Sequence, residues 1–354
     1  MTDALTPDRR VELPLDGGGT AVLRLPAGGP PDRPVPAVVL LQPFGAWNRD
    51  AFMPAEVSGN GPVGLFADLG AALVGAGIAA VSFDTRFVTE DFAGGAGTPR
   101  LTFTGMVDDA VRAVEQARAH ADVDASRVAL LGVSMGTEVA LAAAERLADG
   151  TRLALVAPIA EQCAVFHRWK GLGRQLEWLV GSGFVDADGT VDLKAAKADH
   201  LGRHGWWDDF DLDERLGSGI EIEQLRAELA AAYDAWELRA TGHGDESAPA
   251  SFWSDWFAQP APLRRLSGTS GAMTIHVGAE DWTTPPRHAW SVHRAAVGQG
   301  LRSDLTVHPR LGHLMSPRTA DGLRTYGPFD PDFQRALVGS VGALLDPGTA
   351  EQGG

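Results

Sequence analysis

The sequence predicts an α/β protein with a mostly parallel, doubly wound central sheet that carries an inserted, mainly helical region. Short runs rich in Val, Ile and Leu alternate with segments of helical periodicity, which is typical of parallel strands covered by helices on both faces. This alternation stops over residues 162–268, where no buried strand is evident. Together these observations predict one large core and one insertion.

The predicted elements follow one another in the order expected for such a sheet. Residues 11–25 form two strands around the glycine-rich turn at 16–19. The other predicted strands are short apolar runs at residues 37–41, 78–83, 127–132, 153–159, 273–277 and 305–307. Helical spacing of apolar residues predicts helices at residues 62–74, 106–117, 135–147 and 331–345.

The interrupted stretch is too long to be a loop without structure of its own. We interpret residues 162–268 as an inserted helical cap and residues 1–161 and 269–354 as the core. Apolar side chains recur at helical spacing within the insertion, at Ile222, Leu225, Leu229, Ala232, Tyr233 and Trp236. Seven of the ten tryptophans also lie there, and they either line an apolar substrate pocket or form the cap's own core.

Composition and charge exclude several classes of protein. The 46 Asp and Glu residues outnumber the 30 Lys and Arg residues, a formal net charge of −16, so neither nucleic acid nor an anionic membrane is an expected partner. The single cysteine, Cys163, excludes an intrachain disulfide and a cysteine-rich zinc site. The amino terminus has no apolar segment typical of a secretion signal, and no apolar run is long enough to span a membrane.

We therefore expect a cytoplasmic protein that acts on a small molecule. No cluster of histidines and carboxylates has the spacing of metal ligands, so we expect neither a metal nor a cofactor. A homodimer is an open alternative to a monomer.

One motif carries a candidate nucleophile. Gly132-Val-Ser134-Met-Gly136 is a G-x-S-x-G sequence that directly follows a predicted strand and opens a predicted helix. A nucleophile elbow needs this strand–turn–helix setting, in which the glycines allow a sharp turn that holds the serine above the sheet. The alternative is a serine in an ordinary tight turn, and we favour Ser134 as the nucleophile.

A serine nucleophile needs a base to accept its proton. His313 lies in a loop after the last predicted strand, and in a parallel sheet such a loop lies at the same edge as the elbow. His308 is nearer the end of the strand and is the second choice. We predict His313 as the base.

The histidine in turn needs a carboxylate to orient it. Asp281 follows a predicted strand and precedes a proline-bounded turn, which suits this role. Glu280 and Glu161 are the alternative acids. The chain order Ser134, Asp281, His313 is one of the known orders for such a triad.

With these residues the sequence resembles the α/β-hydrolase family. The resemblance covers nearly the whole sheet, from about residue 37 to the end. Its specific parts are the elbow at Ser134, the Gly278-x-x-Asp281-x-x-x-Pro285 segment and the Gly312-His313 pair. It implies the α/β-hydrolase fold, with the insertion after the sixth strand, where this family has its cap.

The resemblance also implies an oxyanion hole. One donor in this family is the backbone N–H after the nucleophile, here that of Met135. The second donor usually follows a His-Gly pair after the first central strand, but this chain has Gln42-Pro43 there. Because proline has no N–H, the resemblance assigns the second donor to Phe44, with Gln42 in place of the usual histidine. The predicted pocket residues are Gln42, Trp47, Trp282 and Phe87.

The implied activity is hydrolysis of a carboxylic ester or thioester with a bulky or hydrophobic acyl group, through an acyl-enzyme. An acyltransferase or a cyclase would use the same intermediate with another acceptor. A peptidase would want carboxylates near the cap to hold a free amine, for which Glu161 and the acidic run at 208–213 are candidates. A non-catalytic binding protein is disfavoured, because Ser134, Asp281 and His313 are all present.

Overall fold

A computed structural model of the chain describes residues 8–15, 20–27, 33–45, 47–58, 61–86, 101–204, 219–242, 250–316 and 327–346. These residues form an eight-stranded main sheet. In chain order its strands are β1 (Arg9–Pro14), β2 (Thr20–Leu25), β3 (Val35–Leu41), β4 (Ala79–Phe83), β5 (Val123–Val133), β6 (Arg152–Val156), β7 (Met273–Gly278) and β8 (Ser303–His308). Their order across the sheet is β1-β2-β4-β3-β5-β6-β7-β8.

The strand directions confirm the predicted mostly parallel sheet. β1 pairs with β2, and β2 with β4, in the antiparallel sense. From β4 across to β8 all neighbouring strands are parallel. Leu41 of β3 pairs with Gly132 of β5, and Val133 of β5 pairs with Val156 of β6. The carboxyl ends of these strands therefore lie side by side, and residues just beyond them meet at one edge.

Helices cover the sheet. Those of the described residues are α1 (Ala55–Ser58), α2 (Leu65–Gly75), α3 (Phe103–Ala119), α4 (Met135–Leu147), α5 (Cys163–Arg168), α6 (Arg174–Gly181), α7 (Leu193–His204), α8 (Ile222–Ala240), α9 (Ala250–Phe257), α10 (Pro262–Arg265), α11 (Pro286–Gly298) and α12 (Pro331–Leu345). A π-helical turn spans Trp169–Gly173 and a 3₁₀ turn spans Leu266–Gly268. Two-residue strands pair Phe52–Met53 with Val63–Gly64 and Thr190–Val191 with Ile220–Glu221. Within the described ranges, no helix is both long and apolar enough to cross a bilayer.

Apolar side chains on the two faces of the sheet form two separate layers. In β3, Val39 and Leu41 belong to the layer that contains α3, α4 and α11, whereas Val38 and Leu40 belong to the layer with α2 and α12. Because strand side chains alternate between faces, a strand covered on both sides must be apolar throughout. This confirms the predicted double winding.

Among the differences from the predicted elements are two strand boundaries and one helix. β6 ends at Val156 and not at residue 159, because Ala157 has a positive φ of 52° and donates its N–H to the His276 carbonyl (2.8 Å). β5 begins at Val123, several residues earlier than predicted, where it pairs with Val35. α11 has no counterpart among the predicted helices, because its buried face contains few large apolar side chains.

Apolar residues between 162 and 268 contribute to two clusters. One is a small core of this region's own, which includes Leu176, Trp178, Leu179, Val191, Leu225 and Leu229. The second set packs into the layer shared by α3, α4 and the sheet, and includes Phe166, Phe252, Trp256 and Phe257. The aromatic side chains of this region therefore serve both its own core and its attachment to the main sheet. Trp206 and Trp207 lie outside the described residues.

Candidate active site

Ser134 occupies a sharp turn between β5 and α4. Its backbone has φ 54° and ψ −120°, a conformation that is rare for residues with a side chain. A Cβ atom on Gly132 would lie 2.2 Å from the Gly136 carbonyl oxygen, and one on Gly136 would lie 2.3 Å from the Leu41 carbonyl oxygen. The two glycines of the motif are therefore required by close backbone packing. This is the strand–turn–helix elbow that the sequence predicts.

A continuous chain of hydrogen bonds joins Ser134, His313 and Asp281. His313 Nε2 lies 2.9 Å from Ser134 Oγ. The other ring nitrogen, Nδ1, lies 2.9 Å and 3.1 Å from the two carboxylate oxygens of Asp281. A carboxylate at Nδ1 favours the tautomer with its proton there, which leaves Nε2 as the acceptor for the serine hydroxyl.

Hydrogen bonds hold the Asp281 carboxylate in place from three sides. The N–H groups of Thr283 and Thr284 donate to Oδ1 (2.9 and 2.8 Å), and the Thr284 hydroxyl donates to Oδ2 (2.7 Å). The Asp281 side chain is completely buried. Sequence analysis missed Thr284, although an Asp followed by Thr and Pro at a turn is a known pattern of local side-chain capping. Asp281, and not the alternative acids Glu280 or Glu161, is the carboxylate at the imidazole.

The loops that carry the acid and the base lie directly against each other. Glu280 donates its N–H to the Leu311 carbonyl (3.0 Å), and Ala279 donates to the His308 carbonyl (2.8 Å). A Cβ atom on Gly278 would lie 2.3 Å from the Leu311 carbonyl oxygen, so only glycine fits at the end of β7. The imidazole of His308, the second choice as base, lies instead 3.0 Å from His276 Nδ1.

The two predicted oxyanion donors lie on segments next to the elbow. Met135 is buried in the first turn of α4, where a backbone N–H has no acceptor within its own helix. Phe44 follows β3, and its carbonyl accepts a hydrogen bond from the indole N–H of Trp47 (2.9 Å). Trp47, predicted as a pocket residue, is buried in the layer with α2 and α12. Its hydrogen bond therefore fixes residues 42–45 after β3, the Phe44 loop, to that layer.

Gln42 holds this loop together and does not line a pocket. Its amide nitrogen donates to the carbonyls of Phe83 (2.6 Å) and Asn48 (2.9 Å), and its amide oxygen accepts from the Thr85 hydroxyl. The side chain is buried. This corrects the prediction of Gln42 as a pocket residue, because the protein itself uses both ends of the amide.

The remaining predicted pocket residues have different surroundings. Trp282 is half-buried and packs edge-on against Trp178 (6.4 Å between ring centroids), with the Arg174 guanidinium 5.3 Å from its ring. It therefore links the turn after Asp281 to the 162–268 region. Phe87 lies outside the described residues.

Glu138, which the sequence analysis did not single out, is a buried acid near the site. It lies on α4, one turn after Ser134, and accepts a hydrogen bond from the indole N–H of Trp256 (2.8 Å). Burial raises the pKa of Glu138 to about 8. Within the part of the chain that the structure describes, no group of three or more His, Cys, Asp or Glu side chains could hold a metal ion. The nucleophile, the base and the orienting acid are together the groups that acyl transfer to a serine needs.

Comparison with known proteins identifies relatives of the same fold. Residues 20–313 match the model of the X-Pro dipeptidyl-peptidase (S15) family. Similar structures include dipeptidyl peptidase 4 from Porphyromonas gingivalis (13% identity, TM-score 0.54, 96% of this chain and 36% of that chain). They also include a puromycin-hydrolysing peptidase from Mycobacterium tuberculosis (16% identity, TM-score 0.52, 97% of this chain and 39% of that chain). An α/β hydrolase from Penicillium sp. sh18 is similar over nearly the whole length of both chains (17% identity, TM-score 0.52, 96% of this chain and 98% of that chain). No curated protein matches the sequence.

Proposed function

Because the chain belongs to the X-Pro dipeptidyl-peptidase (S15) family, we propose that it is a serine peptidase that cleaves through an acyl-enzyme on Ser134. The observation that carries the proposal is the hydrogen-bonded chain from Ser134 through His313 to Asp281. The family match then favours a peptide bond over the ester bond that the sequence analysis put first.

The proposed reaction uses each member of this chain in a separate role. His313 takes the Ser134 proton as the hydroxyl oxygen attacks the substrate carbonyl, and Asp281 stabilises the resulting imidazolium. The backbone N–H groups of Met135 and Phe44 donate to the oxyanion that forms. His313 then gives its proton to the leaving amine, and water releases the acyl group by the same steps in reverse.

We propose as substrates peptides with a free amino terminus and proline in the second position, so that cleavage releases an X-Pro dipeptide. The family description supports this class of substrate, as does the similarity to a dipeptidyl peptidase. Phe44 is half-buried on the segment next to the elbow, and an aromatic ring there offers an apolar surface to the proline ring.

Ester hydrolysis is the second candidate. It would use the same acyl-enzyme with an alcohol as the leaving group. The observation that favours it is the extent of the structural matches. The chain spans only 36% and 39% of the two peptidases but 98% of a putative dienelactone hydrolase from Klebsiella pneumoniae (11% identity, TM-score 0.52), and a lactone is a cyclic ester.

A matched set of substrates tests the two candidates. Labelling by a fluorophosphonate in the wild type, and its loss in Ser134→Ala, would first establish the nucleophile. Gly-Pro-p-nitroanilide, its N-acetylated form and p-nitrophenyl esters from acetate to decanoate then separate the activities. We expect turnover of the free Gly-Pro anilide and little of the acetylated one. Labelling with turnover of esters alone would overturn the peptidase proposal in favour of an esterase.

A further inference from the structure

Helix α9 contacts helix α3 and the Phe44 loop, which carries one of the proposed oxyanion donors. Its Asp255 anchors it to the first turn of α3, where the carboxylate accepts hydrogen bonds from the N–H (2.7 Å) and the hydroxyl (2.9 Å) of Thr104. Three of its aromatic rings surround the Phe44 ring at centroid distances between 5.3 and 5.9 Å. The core therefore holds this helix, and the helix in turn contacts the Phe44 loop.

Trp256 connects α9 to the helix that begins at the nucleophile. Its side chain is fully buried, and its indole N–H donates to Oε2 of Glu138 on α4. Its ring stacks on Phe44 with 5.8 Å between centroids and 20° between planes. On another side it stacks on Phe103 of α3 at 6.4 Å and 4°. A short path of contacts thus runs from α4 through Trp256 to the Phe44 loop.

We propose that Glu138 and Trp256 are positioning residues that hold the Phe44 loop at a fixed distance from the first turn of α4. The proposal rests on the proposed function, in which the N–H groups of Phe44 and Met135 are the two oxyanion donors. Preorganised donors stabilise an oxyanion most, because they need no rearrangement when the charge develops. Glu138 and Trp256 act through Phe44 and do not touch the reacting atoms.

The chemistry of Glu138 supports a specific role. Its Oε1 has no hydrogen-bond partner among the residues that the structure describes, and burying such a group costs free energy. An apolar side chain would fill the space without this cost, but it could not accept the Trp256 indole N–H. Burial raises the pKa of Glu138 to about 8, so at pH 7 the carboxyl is mainly neutral. It therefore adds little negative charge near the turn where the oxyanion forms.

Two substitutions break the path and two others are matched to them. Trp256→Phe keeps an aromatic ring but removes the indole N–H, and Glu138→Leu removes its acceptor. Glu138→Gln keeps an acceptor oxygen and should restore function. Trp253→Phe is the control, because Trp253 lies on the same helix and also touches Phe44, whereas the bond to Glu138 belongs to Trp256.

The main measurement is the second-order rate constant for labelling of Ser134 by a fluorophosphonate, which depends on the oxyanion hole but not on the natural substrate. We expect Trp256→Phe and Glu138→Leu to lower it about tenfold, with kcat for the best anilide or ester falling equally and KM changing less than twofold. Glu138→Gln and Trp253→Phe should stay within about threefold of the wild type. The Trp256→Phe/Glu138→Leu double variant should be no slower than the slower single variant, because both break one path.

Several outcomes would overturn the positioning role. These are unchanged labelling in folded Trp256→Phe, an equal loss in Trp253→Phe, or a change in KM alone. If Glu138→Leu does not fold, the comparison of Trp256→Phe with Trp253→Phe decides. Rapid labelling of the wild type without anilide turnover would instead remove the peptidase proposal and leave the positioning role to be judged by the labelling rates.

Discussion

Replacing Glu138 with glutamine removes a buried proton-binding group but keeps an acceptor for the Trp256 indole. The Glu138 side chain is 3% exposed, and burial raises its pKa from an ordinary 4.5 to about 8. The Trp256 N–H and the charge of Arg265 oppose this shift. Burial raises the pKa of the Cys163 thiol well above its ordinary value, so this thiol adds no charge near Glu138 at neutral pH. Glu138 therefore keeps its proton in the folded chain at pH values at which the unfolded chain has lost it.

The contribution of Glu138 to the free energy of unfolding must then decrease as pH rises from about 4.5 to about 8, with no further loss from this group above pH 8. At about 1.4 kcal/mol for each pKa unit, the whole span is worth about 5 kcal/mol. Between pH 6.5 and 9, above the ordinary pKa of histidine, the remaining loss is about 2 kcal/mol. Glutamine does not titrate, so Glu138→Gln should lack this contribution.

Urea unfolding followed by tryptophan fluorescence at several pH values between 6.5 and 9 measures the difference. We expect the wild type to lose about 2 kcal/mol more stability over this range than Glu138→Gln does. Glu115→Gln is the control, since Glu115 is half-exposed on α3, and its pH dependence should follow the wild type. Parallel curves for the wild type and Glu138→Gln would refute the reasoning.

Three further substitutions give sharp outcomes. Gly136→Ala places a methyl group 2.3 Å from the Leu41 carbonyl oxygen. We expect the free energy of unfolding, measured with urea, to fall by about 4 kcal/mol or more. A urea midpoint like that of the wild type would contradict this close packing. Asp281→Asn cannot fix the His313 tautomer, so kcat for the best substrate should fall about 10⁴-fold with little change in melting temperature; a fall below tenfold would argue against the assigned acid. Burial lowers the pKa of His288 to about 4, so stability should decrease as pH falls below 6.5, by about 3 kcal/mol in all. In His288→Asn the free energy of unfolding should depend less on pH below 6.5. The same pH dependence as in the wild type would contradict the role assigned to His288.

The fold and the three polar residues of the site could be predicted because both depend on strand ends. Ser134, Asp281 and His313 are far apart in the sequence, but each follows a parallel strand, and such strands end at one edge of the sheet. The apolar runs that predict those strands are strong signals, since a strand covered on both faces has few polar residues. α11 was missed for the converse reason, because a helix that buries mainly small side chains has weak periodicity.

The contacts around the site that were missed are pairs of side chains from distant segments. Glu138 and Trp256 are separated by 118 positions, and no periodicity or spacing relates them. Gln42 shows the same limit: the sequence indicates that it stands at an unusual position, but not that its amide binds the carbonyls of Phe83 and Asn48. Which of several polar partners a side chain meets is decided by tertiary packing, which a local pattern does not encode.

The glycines of the site show why one kind of contact can be recognised in a sequence and the other cannot. At Gly132, Gly136 and Gly278 a Cβ atom would lie 2.2 to 2.3 Å from a backbone carbonyl oxygen, so no other residue fits and the packing is visible as a motif. The bond between Glu138 and Trp256 has no such requirement, since other residue pairs could fill the same space. Backbone packing therefore determines where Ser134 stands, while the distance of the Phe44 loop from it depends on side chains that can be exchanged. On this reasoning, substitutions at the glycines should lower the free energy of unfolding by several kcal/mol, whereas those at Glu138 and Trp256 should mainly change the reaction rate of a protein that still folds.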